Sequence, residues 1–176
     1  MKFSDLLDQP YDKDTGIICL DTLCKLLPET PRDVIEQVYS DHGRSSEFQK
    51  QYRDIDLLSV EWVSIHIPAN EIINASYYDD FERWYLVVQA RLDEFANKGW
   101  PCIDNRSEVV ANWEEHKTWL RSPVLLDGIH PAVDGRLHLM EGHTRAAILG
   151  GLVKNRVISP ETKHLVFVGR ACTPRE

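Results

Sequence analysis

The chain has no hydrophobic run long enough to cross a membrane. Unbroken apolar stretches such as Leu86 to Val88 and Ala146 to Leu149 fall far short of the roughly 20 residues that a spanning helix needs. It lacks the basic start and apolar core of a secretory leader, because Asp5 and Asp8 follow Met1-Lys2-Phe3 at once, so export is not expected. Cysteine is scarce. Cys19, Cys24, Cys102 and Cys172 form no C-x-x-C pair, which argues against a zinc site and for reduced thiols in a cytoplasmic protein. Basic charge is also short: 20 Lys and Arg stand against 28 Asp and Glu, net −8 with pI about 5.4. That balance excludes broad electrostatic binding to DNA or anionic membranes. No repeat or low-complexity tract is present.

What remains is an ordinary globular composition, 43% hydrophobic and 27% charged over 176 residues, enough for one domain or for one domain with an elaborated arm. The charge is unevenly spread. Residues 1–120 hold 12 Lys and Arg against 23 Asp and Glu, net −11, whereas residues 121–176 hold 8 against 5, net +3. An anion site is therefore expected in the last third, and the acidic remainder suits a basic protein partner.

Hydrophobic spacing predicts a short helix within Gly16–Leu27 and another opening at Thr30-Pro31, with Val34, Ile35, Val38 and Tyr39 on one face. Gly43 is expected to close that second helix in the left-handed region, and Ser45 or Ser46 to cap a third through Phe48 and Tyr52. Val60 to Pro68 alternates as a strand. A long helix is expected from Asp79 or Asp80 to about Asn97, stopped by Lys98-Gly99-Trp100-Pro101. A further helix spans Ser107 to Trp119. Pro123 to Leu126 is a short strand, Asp127 to Gly135 a turn-rich connection, Arg136 to Met140 a strand, Thr144 to Lys154 a helix and Lys163 to Val168 a last strand. The order describes an α+β fold, a small mixed sheet flanked by helices. Residues 1–57 form a helical N-terminal extension and 58–176 the α+β domain. The five tryptophans fall at core-like spacing.

The segment richest in chemistry is Glu141-Gly142-His143-Thr144-Arg145, where a strand turns directly into a helix. Unpaired N–H groups and the helix dipole favour an anion there. Gly142 permits close approach, and Arg145 carries a fork that matches phosphate or carboxylate oxygens. A tight turn capped by Thr144, with Arg145 paired to Glu141 or Glu161, is the plain structural alternative.

Strand–EGHTR–helix resembles the phosphate-binding signature of the ParB/sulfiredoxin superfamily, and Ile65-His66-Ile67-Pro68-Ala69-Asn70-Glu71-Ile72 resembles that family's opening strand and turn. The resemblance covers about residues 58 to 170. It implies a ParB/sulfiredoxin-like fold and a nucleotide (ATP or CTP) or phosphorylated ligand bound by Gly142, His143, Thr144 and Arg145. Mg²⁺ would sit near Glu141. Should catalysis accompany binding, phosphoryl transfer or phosphate-ester hydrolysis is implied, with Glu141 and His143 as catalytic candidates. Glu71 is a candidate base, and a solvated loop carboxylate is its plain alternative. His143 stands where sulfiredoxins carry a nucleophilic cysteine, which removes sulfinic acid reduction. Thr144 replaces a second histidine of the kinase-like form. The residues after the motif's helix leave no place for the helix-turn-helix of partition proteins, so DNA binding is not expected. Replacing Arg145 by Ala is expected to weaken phosphate binding and leave the fold intact. The rival reading is an acidic protein-binding inhibitor, an immunity protein or antitoxin that neutralises a basic nuclease toxin.

Overall fold

The computed structural model describes residues 1–130 and 137–172. Most of the Asp127–Gly135 connection that follows Asp127 to His130, together with Arg136, lies outside the described residues. Eight α-helices are described: α1 (Leu20–Leu26), α2 (Arg32–Val34, continuing as a π-helix over Ile35–Ser40), α3 (Ser46–Tyr52), α4 (Ala69–Ile73), α5 (Glu82–Leu92), α6 (Phe95–Lys98), α7 (Ser107–His116) and α8 (His143–Lys154). Four strands, β1 (Val60–Pro68), β2 (Val124–Asp127), β3 (Leu137–Glu141) and β4 (Lys163–Ala171), make one small mixed sheet in the order β1-β4-β2-β3. The protein is therefore α+β. No described helix is long and apolar enough to cross a membrane.

The chain groups into two compact units. The first gathers Met1–Val63 with the described parts of Leu126–Gly135 and Val168–Glu176. Its core is aromatic and aliphatic: Phe3 lies edge-on to Tyr39 at 6.0 Å and tilted to Tyr52 at 5.9 Å, and Leu6, Val34, Ile35 and Val38 are fully buried. Gly43 corrects an expectation. It is not left-handed; it is glycine because a Cβ there would lie 2.3 Å from the Tyr39 carbonyl oxygen. The Gly43 N–H also donates to that carbonyl at 3.1 Å.

The second unit gathers Ser64–Leu125 with the described part of Arg136–Phe167. α8 is buried on nearly every side (Ala146, Ala147, Ile148, Leu149, Leu152), the signature of a helix enclosed by other elements. α5 packs on it so closely that a Cβ on Gly151 would meet Leu92 Cγ at 2.5 Å. The single helix expected from residue 79 to 97 is instead a 3₁₀ turn over Asp79–Phe81, then α5, then α6. Tyr85, Val88 and Leu92 are buried, but Phe95 turns away to meet Trp100 edge-on at 5.0 Å, and the helix is interrupted between Leu92 and Phe95.

Candidate functional site

β3 delivers the chain to Glu141, and Gly142 reverses it into α8 with φ 105° and ψ 24°. A side chain is excluded twice over at Gly142. The backbone is left-handed, and a Cβ would lie 2.8 Å from Pro123 Cβ. The first turn of α8 then points three side chains in three directions. His143 is 5% exposed, its ring stacked on Phe81 at 3.8 Å and 12°. Thr144 Oγ1 accepts a hydrogen bond from Trp84 Nε1 at 3.0 Å. Arg145 turns back: Nη1 donates to the carbonyls of Arg121 (2.8 Å) and Ser122 (3.4 Å), and Nη2 donates to Glu141 Oε1 (3.0 Å). Burial pushes its guanidinium below the ordinary arginine range, and the Glu141 carboxylate opposes that shift.

The five motif residues are thus gathered as one turn, but their atoms are not equally placed for a ligand. Arg145 binds the turn to the segment leading into β2, so its replacement is expected to disturb the fold rather than leave it intact. Glu141 is held by that same guanidinium. Glu71 is exposed on α4 and does not line the cleft described next. Among the described residues no group of three His, Cys, Asp or Glu side chains is gathered to hold a metal.

Thr144 opens onto a cleft of about 610 Å³ whose other walls include Trp84, Arg91, Cys102, Asp104 and Arg106. Trp84 is 42% exposed, which corrects its assignment to the core; Trp113 and Trp119 are buried as expected, and Trp62 and Trp100 are half-buried. The Arg91 guanidinium carbon stands 5.5 Å from the Trp84 ring centre. Arg106 forks onto Asp104, Nε to Oδ1 at 2.9 Å and Nη2 to Oδ2 at 2.8 Å, while Asp104 Oδ1 also accepts from the Arg106 backbone N–H at 3.0 Å. That contact holds the Asp104 carboxyl below its ordinary range. Arg106 Nη1 is left outside the pair, on a side chain 60% exposed.

The arrangement offers a hydroxyl at a helix N-terminus, two guanidiniums and one open indole face. These are groups that meet an anion beside a flat, apolar body. Arg91, Asp104 and Arg106 were not singled out from the sequence, and Trp84 was read as core. Trp84 sits at helical spacing like a core residue, and 60 positions separate it from Thr144. Only Asp104-Asn105-Arg106 carried a local signal, an aspartate turn just before a helix.

His138 on β3 is 2% exposed, with Nδ1 3.0 Å from Ser76 Oγ. Ser76 pairs by its backbone along β3. Compared with known protein families, with curated proteins and with solved structures, the chain matches none.

Proposed function

We propose that this protein binds a nucleotide or a phosphorylated small molecule in the cleft at the start of α8. One observation carries the reading: Thr144, in the first turn of α8, shares a single cleft with Arg91, Arg106 and the open face of Trp84. Phosphate oxygens take the Thr144 hydroxyl and the α8 N-terminus, the two arginines offset the charge, and a base or other flat group lies on Trp84. Gly142, His143 and Arg145 shape the turn. A divalent ion at such a site would come with the phosphates, since Mg²⁺ is ordinarily held by one or two carboxylates plus phosphate oxygens. Should turnover follow binding, the arginines serve phosphoryl transfer or phosphate-ester hydrolysis by meeting developing charge, with the base unassigned. The finer ParB/sulfiredoxin-like assignment belongs to the same proposal and rests on the strand–EGHTR–helix resemblance. An intrinsic-fluorescence titration tests it. ATP or CTP should quench the wild type saturably, and Trp84→Phe should lose most of that quench. A quench of unchanged size in Trp84→Phe would place the ligand elsewhere.

A second reading, an acidic inhibitor of a basic toxin, is favoured by the carboxylates Asp41, Glu114 and Glu115, which are all exposed on or beside helices.

A further inference from the structure

Just past α7, Thr118 and Trp119 fasten the chain to β4 within the second unit. Trp119 Nε1 donates to the Leu165 carbonyl at 2.9 Å, and Thr118 Oγ1 lies 3.1 Å from His164 Nδ1. His164 is 1% exposed, its ring centre 5.0 Å from that of Trp119 and 6.4 Å from that of Trp113. Its Nε2 is buried with no hydrogen-bond partner among the described residues. Whichever nitrogen carries the hydrogen of the neutral ring, the imidazolium carries one on both. Its Nε2–H would therefore hold charge with no acceptor. The charged and titratable groups around the ring are basic: His66 from β1, His116 and Lys117 at the end of α7, and Lys163 on β4. No described Asp or Glu lines the hollow that these groups share with His164. Glu115 pairs with His116 at 3.8 Å. β2, the other strand beside β4, brings the apolar Val124 and Leu125, and its Asp127 pairs with Arg170. Tilted indoles hold a cation less well than water does.

We propose that His164 makes this fastening an acid-sensitive latch: protonating its ring favours release of the Thr118–Trp119 stretch from β4 while the rest of the second unit stays folded. In the closed form the ring has neither water nor a carboxylate to meet a positive charge; in the released form it meets water. Burial, and then His66, push the closed ring's pKa down to about 4, against about 6.5 for a ring in water. The released form therefore binds the proton first. Release is least favoured above about pH 6.5, grows as pH falls, and gains nothing further below about pH 4. The stretch that moves is short and bounded on both sides. Lys117 ends α7 in the left-handed region at φ 57°, and Arg145 holds the Arg121 and Ser122 carbonyls. Between them, Leu120 is already 57% exposed.

The test is hydrogen exchange followed by NMR on the full-length protein from pH 7 to pH 5, each rate referred to that of the same group in an unstructured peptide at the same pH. The Trp119 indole N–H should be less protected than the Leu149 amide, inside the enclosed α8, at every pH, as a local opening requires. Its protection should fall about twentyfold across the range, the ratio that the two pKa values set. His164→Asn and His164→Gln, which carry no titrating ring, should each show a level Trp119 protection over the same range. Wild-type protection of Trp119 that is indifferent to pH would overturn the proposal, and so would protection equal to that of Leu149 at each pH, which marks global unfolding alone. Both readings come from the wild type and stand whether or not the variants fold. The same acid loss in either folded variant would overturn it as well.

Discussion

At the scale of single residues, Arg145 separates what a motif suggests from what its atoms do. Its guanidinium satisfies two backbone carbonyls and Glu141 at once. Removing it leaves those acceptors without their donor in a half-buried place. Arg145→Ala is therefore expected to lower stability by about 2–4 kcal/mol. Arg145→Lys should recover only part of that, because an ammonium lacks the planar fork. Urea unfolding of the two variants measures both. A second residue-scale expectation concerns pH. Burial, and then His66 nearby, push the His164 pKa down from 6.5 to about 4. The unfolded chain thus binds this proton first. The stability contributed by neutral His164 is full above about pH 6.5 and is lost as pH falls towards about 4, an effect of up to about 3 kcal/mol. Unfolding free energies measured across that window should fall with acid in the wild type and fall less in His164→Asn. Equal slopes would remove His164 as the cause. The importance of Gly142 was legible in the sequence, since a glycine set between a strand and a helix marks a sharp reversal that a side chain would obstruct. The pairing of Arg145 with Glu141 was legible as the plain alternative, whereas its hold on two carbonyls was not, because they lie more than 20 residues earlier.

At the scale of elements, α5 and α8 meet through glycine. Gly-to-Ala inside a helix ordinarily gains about 1 kcal/mol. At Gly151 the sign should reverse, because the new methyl would lie 2.7 Å from Leu92 Cβ and 2.5 Å from its Cγ, atoms that cannot swing aside. Gly151→Ala is expected to cost about 1–3 kcal/mol. Gly150→Ala meets only the tip of Gln89 and should be neutral or slightly stabilising. Thermal unfolding of the pair checks the contrast; equal effects would mean the helices do not touch as described. Gly142→Ala should cost about 1–3 kcal/mol through its left-handed backbone alone, with the Pro123 contact added. Local pattern carried most element positions. β1 matches residue for residue, and α3 opens after Ser45 as expected. It failed at two places: α5 gives way to α6 beside the Phe95–Trp100 contact, and the π-turn after Val34 has no signature that apolar spacing reveals.

At the scale of the whole chain, the acidic balance of residues 1–120 makes a kinetic statement about any basic protein partner. Association with it should slow as salt rises, since exposed charges are screened beyond about 8 Å at physiological ionic strength. Paired Glu114→Lys and Glu115→Lys changes should slow it further without unfolding α7, whose buried anchor is Trp113. An on-rate indifferent to salt would leave the acidity as a solubility feature. The proposed cleft draws on both parts of the chain. Thr144 belongs to the basic last third, but the cleft's arginines, Arg91 and Arg106, come from the acidic part, where the net count concealed them. Calorimetric titration of the wild type with ATP, CTP, ADP and inorganic phosphate at millimolar concentration, repeated with Arg106→Ala, tests the cleft most directly. Saturable binding of at least one of these, weakened about tenfold or more in the variant, is the expected result. No heat from any of them, or an affinity untouched by Arg106→Ala, would contradict the account.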